Sequence, residues 1–336
     1  MRKIRYGIVG TGQMGRTHLE NLQNSLPGAE VVAICARNET KIRKLQEEFD
    51  VANGYTDYDK MLRNPEIEAV IVATGSDMHR EHVVKACSAE KHIFCEKPLA
   101  KTLEDCRIIE EAVASNENRF FTLGFMRRFD PSYMAAKDKI KKGAIGRPIH
   151  FRGISLDPSS VLDAHLERVK RGIYMPWFIE MGSHDADLAR WFLEDEPEEC
   201  LATGDAYVCE ELDKYNDYDN GFSLSRFANG ASAYIHVGRT HTCSHVATEI
   251  VGTKGTLTVN TIPRTNYVGQ FTEQGYQEEC QHDFRERWEK AFFNEIKDFT
   301  NCIIEGRKPD ITAEDGTAAL KYCILMHEAY LKGKKR

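Results

Sequence analysis

The feature that most constrains this chain is Gly10-Thr11-Gly12-Gln13-Met14-Gly15, a G-x-G-x-x-G run. It directly follows the apolar, β-rich stretch 4–9 and opens a stretch with helical spacing at 14–26. In that setting the glycines allow a tight turn and a close approach of backbone to a pyrophosphate. The following helix offers free N–H groups and the positive end of its dipole. Without a strand before it and a helix after it, the same run is an ordinary glycine turn. The placement therefore predicts a dinucleotide site lined by Gly10, Thr11, Gly12, Gln13, Met14 and Gly15.

The surrounding rhythm agrees. Apolar runs at 30–35, 69–73, 93–95 and 120–124 alternate with helical stretches at 40–49, 80–89 and 103–115. Such alternation predicts βαβ units, hence an α/β domain with a doubly wound parallel sheet. After about residue 125 the pattern changes. Helical stretches at 132–142 and 180–193 precede strand-like runs at 202–208, 221–227, 231–237, 247–251 and 256–259. Short turns separate these runs, which reads as an antiparallel sheet. Helical segments at 284–304 and 313–331 close the chain. A length of 336 residues accommodates two domains. They are placed at 1–125, binding the cofactor, and 126–336, an α+β domain with an open, mostly antiparallel sheet.

Charge excludes one class of function. Lys and Arg number 45 against 52 Asp and Glu, a net −7 with no basic stripe, so no nucleic-acid partner is expected. The lysine-rich end at 332–336 reads as a solvated tail. No apolar run approaches the ~18 residues of a membrane helix. The first residues lack a signal-peptide core. The ten Cys form no C-x-x-C pair, which reads as reduced thiols. A cytoplasmic protein without a membrane partner is expected.

The strand that ends Ile34-Cys35-Ala36-Arg37 carries no acid where an NAD-binding strand places one for the ribose hydroxyls. Ala36 removes the repulsion of a 2′-phosphate, and Arg37 can pair with it. This favours NADP(H), with NAD(H) still open. Two further strands lead into Thr74-Gly75-Ser76-Asp77-Met78-His79 and Glu96-Lys97-Pro98. Both segments lie beyond carboxyl ends of strands, where open α/β sheets bind ligands. Thr74, Gly75, Ser76, His79, Glu96, Lys97 and Pro98 are thus cofactor candidates, with Lys97 near the nicotinamide end. Glu180 and His184, four apart, would share a helix face, and Asp187 follows three later. Tyr234 and His236 are weaker candidates on a predicted strand. His241, Cys243 and His245 alternate as metal ligands on one strand face would, but no fourth ligand is evident and no metal is expected.

Taken together these residues resemble the glucose-fructose oxidoreductase / inositol dehydrogenase / rhizopine-catabolism (Gfo/Idh/MocA) family. The matching runs are Gly10 to Gly15, Thr74 to His79, Glu96-Lys97-Pro98, Gly124-Phe125-Met126-Arg127-Arg128-Phe129-Asp130, Gly143-Ala144-Ile145-Gly146-Arg147-Pro148, Met181-Gly182-Ser183-His184-Asp185-Ala186-Asp187 and Val251-Gly252-Thr253-Lys254-Gly255-Thr256. Met126 to Asp130, with Arg285-Glu286-Arg287-Trp288 and Phe292-Phe293, resembles the inositol dehydrogenase branch. The resemblance implies a Rossmann domain followed by a sheet domain that mediates dimers or tetramers. It also implies hydride transfer between NAD(P) and a secondary alcohol or ketone of a polyol or sugar.

By the same resemblance Lys97 and His184 are catalytic, and Glu180 stands where the family carries Asp. Arg127 and Asp157 resemble substrate-contacting positions, joined there by Lys97, Glu180, His184 and Asp187. A second departure is Gly75-Ser76 in place of the family's Pro-Asn. The alternatives are a reductase of a dicarbonyl sugar, a dihydrodiol dehydrogenase, or a non-catalytic NADP-sensing regulator.

Overall fold

The computed structural model describes residues 2–173, 175–260, 264–280 and 284–334. The chain divides into two compact units. Unit 1 is Met1–Phe129 with Ala291–Leu320, and unit 2 is Asp130–Lys290 with Lys321–Arg336.

Unit 1 runs β1 (Ile4–Val9), α1 (Gln13–Glu20), β2 (Ala29–Cys35), α2 (Glu39–Phe49), β3 (Asn53–Tyr55), α3 (Tyr58–Leu62), β4 (Ala69–Val72), α4 (His79–Ser88), β5 (His92–Cys95), α5 (Leu103–Ala114) and β6 (Phe121–Leu123). The six strands pair in parallel in the order β3-β2-β1-β4-β5-β6. That is the doubly wound order, whose ligand crevice opens where β1 and β4 leave in opposite directions. Ile71, Val72, Ala69 and Val70 have no exposed surface, because a parallel sheet is covered on both faces. Ile296, Phe299 and Ile303 join this core.

Two short elements, β3 and α3, carry too little apolar pattern to be read from sequence. The expected helix at 14–26 is α1 followed by a wider π turn at Asn21–Ser25. Such turns recur at functional sites.

The later elements are α6 (Pro131–Lys141), β7 (Pro148–Pro158), α7 (Leu162–Lys170), α8 (Trp177–Glu180), α9 (Gly182–Leu193), β8 (Pro197–Asp205), β9 (Asn220–Phe227), β10 (Ser232–His241), β11 (His245–Gly252), β12 (Thr256–Asn260), β13 (Arg264–Thr272), β14 (Gly275–Cys280), α10 (Phe284–Glu305) and α11 (Ala313–Lys334). Asp130 caps α6, accepting from Ser132 N at 2.9 Å, with Pro131 in the first turn. The large sheet of unit 2 has the order β12-β11-β7-β10-β9-β8. Only β7 and β10 run parallel, and the other neighbours are antiparallel.

Alternation along β9 and β10 buries Ser223, Ser225, Phe227, Ala233, Ile235 and Val237. Helices α9 and α11 cover that face: Ser155 Oγ donates to Asp185 Oδ2 at 2.6 Å, and Phe227 meets Tyr322 edge-on at 5.7 Å. The opposite face shows Leu201, Phe222 and Leu224, of which Leu201 is 75% exposed.

Strand β7 was not anticipated from sequence, although it sits at the centre of this sheet. Its alternation is broken by Pro148, Gly153 and Asp157. The hairpin β13–β14 was also unanticipated, being mostly polar and exposed. Lys334 pairs with Asp213 instead of being only a solvated tail, while Lys335 and Arg336 lie outside the described residues. No helix among the described residues is long and apolar enough to cross a membrane.

Candidate active site

In unit 1 the glycine run forms the turn between β1 and α1. Gly10 has φ +95°, a left-handed conformation costly for any residue with a Cβ, and that Cβ would collide with the Ala73 carbonyl. A Cβ on Gly15 would collide with the Gly10 carbonyl, so helix and strand meet through bare backbone. A Cβ on Gly12 would meet nothing within 4 Å. Gly12 is also the N-cap of α1 and makes no side-chain cap bond. The first N–H groups of α1 therefore face open space, and this cradle fits a dinucleotide pyrophosphate.

Beyond β2, Ala36 N donates to Tyr55 O at 3.0 Å and Arg37 is exposed. Asn38 is committed to capping α2, with its Oδ1 accepting from Lys41 N at 3.0 Å. No carboxylate occupies the segment from Cys35 to Asn38.

The loops after β4 and β5 are tied to each other by His79. Its Nδ1 lies 2.9 Å from Pro98 O and its Nε2 3.2 Å from Thr74 O. The ring is 1% exposed, and burial holds its pKa below the ordinary imidazole value. Thr74 Oγ1 meets His82 Nδ1 at 3.0 Å, and Met78 N closes onto Gly75 O at 2.9 Å. Thus Thr74, Gly75 and Pro98 share one frame, while Ser76 lies on the turn between them.

Glu96 N donates to Val72 O at 2.9 Å, so the residue before Lys97 still belongs to the sheet register. Glu96 Oε2 accepts from Lys97 N at 3.3 Å, and Glu96 Oε1 lies 2.6 Å from His18 Nε2. His18 was not singled out from sequence, because a lone histidine on α1 carries no signal until Glu96 is brought to it across the fold. Arg127, in a tight turn at Met126–Phe129, is 2% exposed, and neighbouring Arg128 pairs with Asp315 at 3.1 Å.

In unit 2 the stretch expected as one helix from Glu180 is two helices. α8 ends at Glu180, Met181 is the joint, and α9 starts at Gly182. Glu180 thus closes α8 and His184 lies in the first turn of α9, with Met181 between them still in right-handed helical conformation. The Glu180 carboxylate is engaged by two guanidinium groups, Arg168 Nη2 at 2.9 Å from Oε1 and Arg239 Nη2 at 3.9 Å from Oε2. Arg239 is 2% exposed and lies over the Trp177 ring at 3.0 Å. Asp217 completes the support, accepting from Trp177 N at 3.1 Å and facing His165 Nε2 at 3.0 Å. Burial, with Arg239 nearby, pulls the His165 pKa down against the pull of Asp217. Arg168 and Arg239 were missed in the sequence because nothing local links them to Glu180.

His184 and Asp187 lie three apart in the first turns of α9, both buried. Asp185, between them, points the other way and anchors α9 to β7 through Ser155. Asp157 sits near the end of β7, half-buried. Tyr234 and His236 lie on the open face of the sheet, where His236 Nε2 meets Asn220 Oδ1 at 2.7 Å.

The alternating His–Cys–His run does not lie on one strand. β10 ends at His241, β11 starts at His245, and Cys243 is in the turn. The two imidazoles stack at 5.3 Å instead of converging their nitrogens on a point.

A doubly wound domain with a glycine phosphate loop and a lysine beyond β5, joined to a mixed-sheet domain carrying a buried histidine, defines a nicotinamide-dependent oxidoreductase. Residues 4–125 match the Oxidoreductase family, NAD-binding Rossmann fold, and residues 133–258 match the GFO/IDH/MocA C-terminal domain. The chain belongs to the GFO/IDH/MocA family of oxidoreductases. It is 32% identical to myo-inositol 2-dehydrogenase of Thermotoga maritima over 94% of this chain and 93% of that protein. It is 30% identical to scyllo-inositol 2-dehydrogenase (NAD(+)) of Bacillus subtilis over 98% and 95%. The structure of scyllo-inositol dehydrogenase from Lactobacillus casei, with bound NAD(H) and scyllo-inositol, aligns with TM-score 0.95 at 32% identity, covering 99% of this chain and 98% of that one.

Proposed function

We propose that this protein is a dehydrogenase that interconverts a secondary alcohol and a ketone on a cyclic polyol of the inositol class. The observation that carries the reading is the pair Lys97 and His184, retained in a chain that matches inositol dehydrogenases over nearly its whole length. The nicotinamide, when bound, accepts or donates the hydride. Lys97 donates a hydrogen bond to the reacting oxygen and stabilises its developing negative charge. His184 takes the hydroxyl proton, work suited to an imidazole near neutral pH. Glu180, steadied by Arg168 and Arg239, orients His184 or holds a neighbouring hydroxyl. Arg127, Asp157 and Asp187 hold the remaining hydroxyls.

We further propose NADP(H) over NAD(H). Support comes from the absence of a carboxylate after β2 and from exposed Arg37, free to meet a 2′-phosphate. Thr11, Gln13 and Met14 flank the phosphates, with Thr74, Gly75, Ser76, His79, Glu96 and Pro98 framing the nicotinamide end. In this division of labour residues 1–125 hold the cofactor, and 126–336 hold the substrate and form subunit contacts. The exposed apolar stripe Leu201, Phe222 and Leu224 supports a homo-oligomer, dimer or tetramer, built on that sheet face. The described cysteines are free thiols, in keeping with a cytoplasmic setting.

The test is turnover followed by absorbance of the reduced nicotinamide, on myo-inositol, scyllo-inositol and glucose, with NAD and NADP in parallel. Oxidation of an inositol with NADP preferred is the expected result. Tight cofactor binding without turnover on any polyol would sink the polyol reading and favour a reductase of a dicarbonyl sugar, assayed in reverse with NADPH. Turnover with NAD preferred would remove only the role given to Ala36 and Arg37.

A further inference from the structure

Behind Lys97, unit 1 buries three ionisable side chains from three distant segments: His18 on α1, Glu96 after β5 and Glu295 on α10. Their nearest nitrogen and oxygen atoms all lie within 4.8 Å of one another. His18 has no exposed surface, Glu295 is 1% exposed and Glu96 7%. Phe94 closes the site, edge-on to His18 at 4.8 Å and to Phe299 at 6.0 Å. Both Glu295 oxygens and His18 Nδ1 lack a hydrogen-bond partner among the described residues.

Geometry separates two explanations. A metal bound at about 2.1 Å in tetrahedral geometry would hold its ligand atoms about 3.4 Å apart. His18 Nε2 and Glu96 Oε1 are 2.6 Å apart, the distance of a charge-assisted hydrogen bond. The occupant of this site is therefore a proton. Glu96 meets His18 Nε2 on one oxygen and accepts from Lys97 N on the other, so its carboxyl is engaged on both sides. Glu295 has no such partner among the described residues, and an unpaired anion in the same apolar enclosure is strongly disfavoured. Gly124 shows how little slack exists, since a Cβ there would come within 3.2 Å of Glu96 Oε2.

We propose that His18 and Glu96 form a buried positioning pair that fixes the backbone from which Lys97 projects, relative to the phosphate-binding helix α1, with Glu295 protonated and packed against them. None of the three is a catalytic residue; they act through Lys97, and the inference rests on the role given to Lys97 above. Burial, with Glu96 nearby, also pushes the Glu295 carboxyl well above the usual carboxylate range.

Two measurements test this. Infrared difference spectra of the wild-type protein against Glu295→Gln should show a protonated-carboxyl stretch that the substitution removes. No such band means that Glu295 is ionised, and overturns the proposal whatever Lys97 does. In steady-state kinetics, Glu295→Ala and His18→Ala should each lower kcat about tenfold or more, with the KM for cofactor little moved. The neutral isosteres Glu295→Gln and His18→Gln should recover most of that loss. Loss in Glu295→Gln as large as in Glu295→Ala, in protein that remains folded by circular dichroism, overturns the proposal. If Lys97→Ala itself keeps turnover while the infrared band is present, the protonated cluster stands and the reading of Lys97 fails.

Discussion

In unit 1 the phosphate loop is held by backbone: Gly10 sits against the Ala73 carbonyl, Gly15 against Gly10, and Glu96 N remains in register with Val72. In unit 2 the segment before His184 is held by charge, with Glu180 between Arg168 and a buried Arg239 stacked on Trp177. Backbone contacts also cross the sheet, as from Gly10 to Ala73, but they use groups that every residue carries. They tolerate few substitutions because there is no room for a Cβ. Charge contacts gather residues 59 positions apart, as from Glu180 to Arg239, and can be lost one at a time. The comparison teaches where each half will break.

The largest effect is expected at Lys97. Lys97→Ala should lower kcat by roughly 10²–10⁴-fold while cofactor affinity, measured by fluorescence titration, stays within about threefold. A turnover near that of the parent would remove Lys97 from the chemistry. Next is Gly10→Ala, which forces a Cβ into a left-handed turn against Ala73. A loss of about 1–3 kcal/mol in denaturant unfolding is expected, with cofactor affinity falling in parallel. Unchanged stability would show that the loop is less constrained than its contacts imply.

A smaller effect is expected from the charge frame. Glu180→Gln removes a carboxylate that faces the buried Arg239 and should cost about 1 kcal/mol or more in stability. Arg168→Met removes a half-exposed partner and should cost about 0.5 kcal/mol. Equal losses would mean that burial of Arg239 does not set the balance.

A last effect is a pH dependence in unit 1. Burial lowers the His82 pKa to about 4, below the ~6.5 of an unfolded histidine. The unfolded chain then takes up a proton first, so stability falls as pH drops through that window. Thermal melting should fall by a few degrees between pH about 6.5 and 4, and His82→Gln should flatten that limb. A melting curve independent of pH there would contradict the buried neutral imidazole.

Much of this was legible in the residues. The glycine loop, the parallel sheet and the position of Lys97 follow from the order of strand, turn and helix, because each of those elements is specified by a short run of neighbours. The preference for NADP proposed from Ala36 and Arg37 rests on one missing carboxylate and awaits the parallel assay with NAD and NADP. Other features were not legible. Short β3 has no apolar run, and β7 owes its central place to partners far along the chain, as in Val251 opposite His150. The joint at Met181 divides a stretch whose spacing reads as one helix.

What the sequence alone determined is the class of chemistry: a phosphate loop, an acid–lysine–proline turn and a histidine within a helical run, each specified by neighbours in the chain. Only the tertiary structure decided how those groups are held. It assigned Glu180 to two arginines, His79 to two loop carbonyls, and His18 to Glu96. The physical reason is that a buried charge or imidazole must find its partner within hydrogen-bond distance. Which residue supplies that partner depends on the packing of segments far apart in the chain, and no local pattern encodes it.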